Sequence, residues 1–410
     1  MNWSQVLSKR WNYDLVVVLL LLALVIEVLS ITFWMELFSM NACRWIHFIS
    51  GFMVGLVILN ATTDGKMTPR TYQLQSVILL FFLFLWVVIR LHTLYERNPL
   101  DFTKADMLPV IQVMSERFIR LEAVYEIIPE IWEGVIPVYL PALWLPFVPS
   151  VIAGVDIRWT TVIFLFIALF ILFSRVRAGK YALLVFLPVG LWFDYILYNN
   201  NGTFVWSEEA VVYGYYILLA LVLYIKAYRW IGILLACCLL SRYGILFYAG
   251  ALILCFYLFD DRRAFFQFFI SASATGILLF TISRAWGHIP DFIRLPGVYL
   301  DNLQANPVKY HEVMKEALGF VPLTDPASYR LMFRLMIFLL VVLASLMVYR
   351  YKKNPHPFVL LGFLKLSLVV FYHFIPIPYT YLFHTSVWVS MAIFFLYSSH
   401  RAENVYNFTE

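Results

Sequence analysis

One charged residue, Arg242, interrupts the apolar run 230–259. A charge there is costly unless it reaches water or a partner, and guanidinium offers phosphate planar, bidentate hydrogen bonds and a charge that does not titrate away. Carboxylates stand elsewhere in polar connections: Asp101 and Asp106 close together, and Glu208-Glu209 ahead of another apolar stretch. Arg158 heads a further apolar stretch, while Tyr139, Tyr379 and His384 lie in proline-containing apolar segments. A carboxylate can take the proton of an attacking hydroxyl, and a fixed cation can stabilise charge developing on a phosphate leaving group. Milder roles exist for most of these residues. Arg158 either orients the first long connection or touches phosphate, and His384 either assists proton transfer or packs at the interface. Glu208 and Glu209 are favoured at a helix start by the dipole alone, or bind hydroxyls of a substrate.

The elements that position these groups follow from composition. The chain is 62% apolar, 19% aromatic and 13% charged, whereas a soluble protein is ~45–50% apolar and ~25% charged. Such an excess cannot be hidden in a soluble interior, so the chain reads as an all-α polytopic membrane protein in a lipid bilayer. Disordered, fibrous and disulfide-rich secreted classes are excluded. The net charge of +5 comes in short clusters, none dense enough for nucleic acid. Cys43, Cys237, Cys238 and Cys255 lie in apolar stretches without metal-ligand spacing. There is no Rossmann fingerprint or P-loop.

A crossing helix needs ~20 mostly apolar residues. Candidate spans are 14–37, 43–61, 73–94, 159–174, 181–198, 211–225, 264–285, 329–349, 357–375 and 383–398, with 230–259 folded into two short helices around Arg242. About twelve spans result, some short. The positive-inside rule puts Lys9/Arg10, Lys66/Arg70, Arg175/Arg177/Lys180, Lys226/Arg229, Arg262/Arg263 and Arg350/Lys352/Lys353 in the cytoplasm. The division is then an N-terminal transmembrane hairpin, 1–65; a transmembrane domain, 66–400, with long outer loops 95–158 and 286–328; and a cytoplasmic tail, 401–410. Segment 136–153 is apolar but carries Pro137, Pro141, Pro146 and Pro149, and each interior proline removes a backbone hydrogen bond. It is expected to dip into the outer leaflet and return. Short amphipathic helices are expected in both outer loops, within 104–134 and at 306–319. Glu27 is expected to pair with another helix, away from the outer site.

On this topology Asp101, Asp106, Tyr139, Arg158, Glu208, Glu209, Arg242, Lys309, His311, Tyr379 and His384 lie outside. The stretch DFTKADMLPVIQVMSERFIRLEAVY (101–125) and VYLPALWLPF (138–147) resemble the first outer loop of the glycosyltransferase-C superfamily, in its polyprenyl-phosphate-sugar-dependent, mannosyltransferase-like branch. SRYGILFY (241–248) is similar to that family's later helix break, whose basic residue faces lipid phosphate, and PIPYTYLFH (376–384) to its late outer segment. Leu121 departs from the pattern, standing where relatives often have glycine.

The resemblance implies a glycosyltransferase that moves a sugar from a polyprenyl-phosphate donor to a glycan, glycolipid or protein acceptor. It implies Asp101 as base with Asp106 in reserve, Arg242 and Arg158 toward the donor phosphate, and Tyr139, Glu208, Glu209, Tyr379 and His384 toward substrate. No cofactor is implied with certainty, and a divalent metal is left open. Loop style suggests a bacterial plasma membrane with the site facing the periplasm. The rival readings are a transporter or flippase of a lipid-linked or amphipathic solute, and an O-antigen polymerase or ligase. The topology is directly testable: cysteines introduced near Asp156 and Asp301 should react with an impermeant thiol reagent applied outside, and ones near Lys180 and Lys353 should not. Labelling near 180 without labelling near 156 would mean that 136–153 crosses.

Overall fold

Lipid offers a backbone amide no hydrogen-bond partner, so a chain of this composition must satisfy its backbone within helices. The computed structural model describes residues 13–61, 72–101, 107–131, 134–176, 178–179, 181–198, 203–305, 314, 317–325 and 328–400. Its principal helices are α1 (Tyr13–Ser30), α2 (Met40–Leu59), α3 (Gln73–Arg97), α4 (Met107–Ile119), α5 (Arg158–Arg175), α6 (Phe186–Tyr198) and α7 (Glu209–Tyr224). Then follow α8 (Tyr228–Leu239), α9 (Leu246–Phe259), α10 (Arg262–Ile282), α11 (Ile289–Ala305), α12 (Tyr329–Lys353), α13 (Pro357–Phe374) and α14 (His384–His400). Among the described residues the only β pairing is one isolated bridge, Ile128 with Val135.

Eight helical segments are long and apolar enough to cross a membrane: α1, α2, α3, α5, α10, α12, α13 and Thr380–His400. The other four segments expected to span are helical but shorter than a crossing requires: Ala182–Tyr198, Glu209–Tyr224, Tyr228–Leu239 and Tyr243–Phe259. At 1.5 Å per residue, α8 is only ~18 Å long against a ~30 Å hydrocarbon core. The first helix also stops early, at Ser30 rather than residue 37. There Ser30 Oγ donates to Glu27 O at 2.8 Å and Thr32 Oγ1 to Val28 O at 2.6 Å, and hydroxyls bonded back to helix carbonyls weaken the helix they end.

Side-chain bonds sort the connections into two ends. At one, Tyr13 donates to Ser398 O at 2.7 Å, Lys226 to Pro355 O at 3.0 Å and Tyr228 to Asp260 at 2.8 Å. This end carries the described basic clusters. At the other, the loop end, Tyr215 donates to Ala142 O at 3.0 Å, Tyr243 to Phe292 O at 2.9 Å and Tyr299 to Pro376 O at 3.0 Å. The Tyr228–Asp260 bond closes the hairpin of α8 and α9, which puts Arg242 at its tip.

The first long loop returns to the end it left. Arg158, the first residue of α5, donates to Asn98 O, just past α3, at 2.5 Å, while Gln73 at the far end of α3 donates to Ser174 O at 2.5 Å. Segment 136–153 lies between as short helical pieces, Pro141–Trp144 and Val148–Ile152 joined by a 3-10 turn. Of the expected loop helices, α4 falls within 104–134. Most of 306–319 lies outside the described residues, as do Asp106, Lys309, His311, Asn201-Gly202, tail 401–410 and basic residues Lys9, Arg10, Lys66, Arg70, Arg177 and Lys180. The second loop instead shows α11, which the sequence reading did not anticipate and which holds Pro296 inside it.

The window of Thr380–His400 is fully buried and that of α13 is 83% buried, whereas α10 is 6% buried. The first two therefore form the centre and α10 faces outward. Helix α1 packs on α2 and α14, α13 on α2 and α12, and α7 on α5, α8 and α14. Helices α8 and α10 approach so closely that a Cβ on Gly232 would lie 2.2 Å from Phe268 O, so only glycine fits there.

Glu27 does pair with another helix. Its carboxylate meets Lys365 of α13, and both side chains are fully buried. Lys365 also donates to Ser386 Oγ at 2.6 Å and Ser386 O at 2.9 Å, and Ser390 donates to Glu27 Oε2 at 2.7 Å. Gly51 makes room, since a Cβ there would stand 3.1 Å from Glu27 Oε1. Removing one partner strands the other charge in the bundle. Glu27→Gln or Lys365→Met alone should therefore destabilise the protein by ~3–5 kcal/mol, and the double variant should recover most of it. Thermal unfolding in nanodiscs reads this; additive losses in the double variant would mean that the ion pair does not join these helices.

Candidate functional site

Glu208 and Glu209 open α7, and Arg242 stands at the tip of the α8–α9 hairpin. The fold brings them together. Arg242 Nη2 donates to Glu208 Oε1 at 2.5 Å and to Glu209 Oε2 at 2.6 Å, and Nε donates to Glu209 Oε2 at 3.1 Å. Both carboxylates are fully buried, while the arginine side chain keeps 22% exposure. Helix-dipole stabilisation alone does not describe these glutamates: they are the counter-ions of Arg242. Thr385 adds a hydrogen bond to Glu209 Oε1 at 3.0 Å. Two acceptor and donor positions remain without a protein partner among the described residues: Glu208 Oε2, which is buried, and Arg242 Nη1. The bidentate fork expected for phosphate is thus occupied by carboxylates, which leaves Nη1 as the donor available to a ligand.

Tyr381 lies close to this cluster. Its phenol lies in the electrostatic reach of Glu208, Arg242, Tyr139 and Tyr379, and it donates to Met107 Sδ at 2.8 Å. Tyr379 is 46% exposed and stacks on Tyr381 with ring centroids 5.4 Å apart. Tyr139 and Tyr379 therefore stand near Tyr381, which itself lies within the electrostatic reach of Arg242. Tyr381 was not singled out in the sequence, although its place in PIPYTYLFH between Tyr379 and His384 was the available signal.

The remaining residues sit differently. His384 is fully buried, where its Nδ1 accepts from Trp192 Nε1 at 2.7 Å and its ring packs edge-on to Trp192. It is a packed histidine whose Nε2 has no protein partner. Arg158 is 2% exposed. Its Nε donates to Asp156 Oδ2 at 2.9 Å, its Nη1 to Asn98 O and its Nη2 to Asp156 Oδ2 at 2.5 Å and Tyr95 O at 3.4 Å. Its guanidinium also lies 4.2 Å from the Tyr95 ring centroid. With its donors so occupied, it orients the first loop rather than offering itself to phosphate. Asp101 is half-buried three residues past Asn98, the backbone that Arg158 holds. Asp106 lies outside the described residues. Glu27 is nearer to this site than the sequence suggested, because Thr385 binds Glu209 while its neighbour Ser386 binds Lys365.

The first-loop backbone also accounts for the departure at Leu121. Leu121 has φ 63°, and Glu122 N donates to Arg117 O at 2.8 Å, a helix ending in which glycine is the usual residue. Among the described residues no group of three or more His, Cys, Asp or Glu is arranged to hold a metal. No family model, curated protein or solved structure matches the chain.

Breaking the arginine cluster should be costly in itself. Arg242→Ala strands two buried carboxylates, so a loss of ~3–5 kcal/mol is expected, whereas Glu208→Gln/Glu209→Gln/Arg242→Met removes all three charges and should restore most of it. Melting curves of the two variants in nanodiscs are the measurement. Equal melting of Arg242→Ala and the parent would mean the ion cluster is not closed.

Proposed function

We propose that this multi-pass membrane protein is a glycosyltransferase that transfers a sugar from a polyprenyl-phosphate donor to an acceptor hydroxyl at the loop end. The observation that carries the reading is the Glu208–Glu209–Arg242 cluster, whose carboxylates are fully buried while the arginine side chain keeps 22% exposure. Because α8 is ~18 Å long, its tip lies several ångströms short of the far face of a ~30 Å core. That depth suits a phosphate whose isoprenoid tail stays among the lipid chains.

In this reading Arg242 Nη1 offers the donor phosphate one charge-assisted hydrogen bond and stabilises it as a leaving group. Asp101 takes the acceptor proton as the hydroxyl oxygen attacks the anomeric carbon; the C–O bond to the lipid phosphate breaks and the phosphate keeps the electron pair. Arg158 positions the loop that carries Asp101. The site faces the side opposite the basic clusters, which for a bacterial plasma membrane is the periplasm. One observation favours the second reading, a transporter: the buried Glu27–Lys365 pair is an intramembrane ionisable group of the kind that marks ion pathways.

Purified protein in nanodiscs, given polyprenyl-phosphate sugars and a panel of glycan and glycolipid acceptors, should form a new glycosidic bond without a membrane gradient. Asp101→Asn should lower turnover by ~10²–10⁴ and leave donor binding intact. Full activity in Asp101→Asn would remove the aspartate from the chemistry. Gradient-dependent solute flux with no new bond would replace the enzyme by the transporter.

A further inference from the structure

Apart from the arginine cluster, a pocket of about 550 Å³ lies at the loop end, between the first outer loop and α11. Its construction is explicit. Arg117 grips Glu126 O at 2.6 Å and Ile127 O at 2.9 Å. The Ile128–Val135 bridge, with N···O distances of 2.9 and 3.0 Å, then folds Ile136–Val138 back beside Ile127. Opposite stand His288, Asp291, Phe292 and Leu295. Tyr125 forms the floor; its hydroxyl accepts from the buried Trp144 Nε1 at 3.0 Å, and its ring lies 4.9 Å from His288. The pocket adjoins the arginine cluster, because Tyr243, next to Arg242, donates to Phe292 O on its wall.

Its chemistry differs from that of Arg242. The ionisable groups lining it are Glu126, Asp291 and His288, the last 3.3 Å from Asp291. Two carboxylates with no lysine or arginine repel a phosphate and accept hydrogen bonds from hydroxyls, while Ile127, Ile136, Val138 and Leu295 present apolar wall. Asp291 is also favoured in the first turn of α11 by the helix dipole, but that explains neither Glu126 nor the apolar lining. We infer that this pocket binds the acceptor: a neutral, hydroxyl-rich saccharide head on an apolar stem, held with its hydroxyls toward Glu126 and Asp291. The inference rests on the glycosyltransferase reading for the word acceptor, but not for the ligand class.

The test uses the full chain in nanodiscs and two probes, hexyl β-glucoside and hexyl α-mannoside, each carrying a diazirine at the end of the alkyl chain. At least one should crosslink saturably to peptides from 125–138 and 288–298. The exposed double variant Glu126→Gln/Asp291→Asn, checked for parental melting, should weaken that labelling ~10–100-fold, the size expected when charge-assisted hydrogen bonds are lost. Hexyl phosphate should not compete. Absence of labelling by both probes, labelling unchanged in the double variant, or competition by hexyl phosphate or hexylamine equal to that of the unlabelled glycoside would overturn the inference. The two proposals separate cleanly. Labelling without any transfer keeps the saccharide pocket and removes the enzyme. Transfer whose acceptor KM is unchanged in the double variant, with no labelling, keeps the enzyme and removes the pocket.

Discussion

The contact between Arg242 and the glutamates Glu208 and Glu209 at the start of α7 constrains the loop end of the protein. An arginine cannot end a hairpin inside an apolar bundle without counter-charge, and Glu208 and Glu209 provide it from a neighbouring helix. To close the cluster, α7 and the α8–α9 hairpin must keep a fixed register, and α14 must bring Thr385 to Glu209. The backbone ahead of α14 is held in turn, since Tyr213 of α7 donates to Tyr381 O at 2.7 Å. The tyrosines near the cluster are therefore positioned by the same helices that bury its charges.

A second charged contact extends this order through the bundle. Thr385 faces Glu209 and Ser386 faces Lys365, so two successive residues of α14 serve two ionic clusters on different neighbours. Glu27 and Ser390 complete the deeper one. Beside it His47 of α2 stacks on His373 of α13 with ring centroids 5.3 Å apart, both rings fully buried. The N-terminal hairpin is consequently joined to the centre of the fold by charge and by packing together. Residues of α1 and α2 share the main apolar core with α13 and α14.

How much of this could be read from the chain depended on whether the signal was local. Arg242 was legible because a single charge splits an otherwise continuous apolar run, and the hairpin around it follows from that cost. The short prolyl segment 136–153 was legible for a similar reason, since its prolines forbid one long helix. Lys365 was not, because it stands alone within an apolar span and its meaning lies in a glutamate 338 residues away. Glu27 signalled the need for a partner but not its identity. The pairing of Glu208 and Glu209 with Arg242 was hidden behind the dipole explanation, which is equally consistent with their sequence position. Helix α11 was not anticipated: it contains Pro290, Pro296 and Gly297, residues that ordinarily disfavour a helix, yet Pro290 falls in its first turn, where a missing amide costs little. The pocket between the first loop and α11 could not be anticipated without that helix.

The charge balance of the arginine cluster limits how it can act. One guanidinium between two fully buried carboxylates leaves a formal excess of one negative charge. A phosphate seated directly on the cluster would deepen that excess, so an approach to Nη1, which is not bonded to either glutamate, is the arrangement of lower energy. The unpartnered Glu208 Oε2 has the opposite preference and favours a hydroxyl or another proton-bearing group. In the proposed reaction, donor and acceptor chemistry would thus be separated on one small cluster: phosphate toward the arginine, hydroxyl toward the carboxylates. The neighbouring pocket, with two carboxylates and no lysine or arginine, extends the carboxylate side of that division toward the surface. On the proposed function, a neutral polyol would follow this gradient of charge inward while a second phosphate would not, so the electrostatics that hold Arg242 would also separate donor from acceptor.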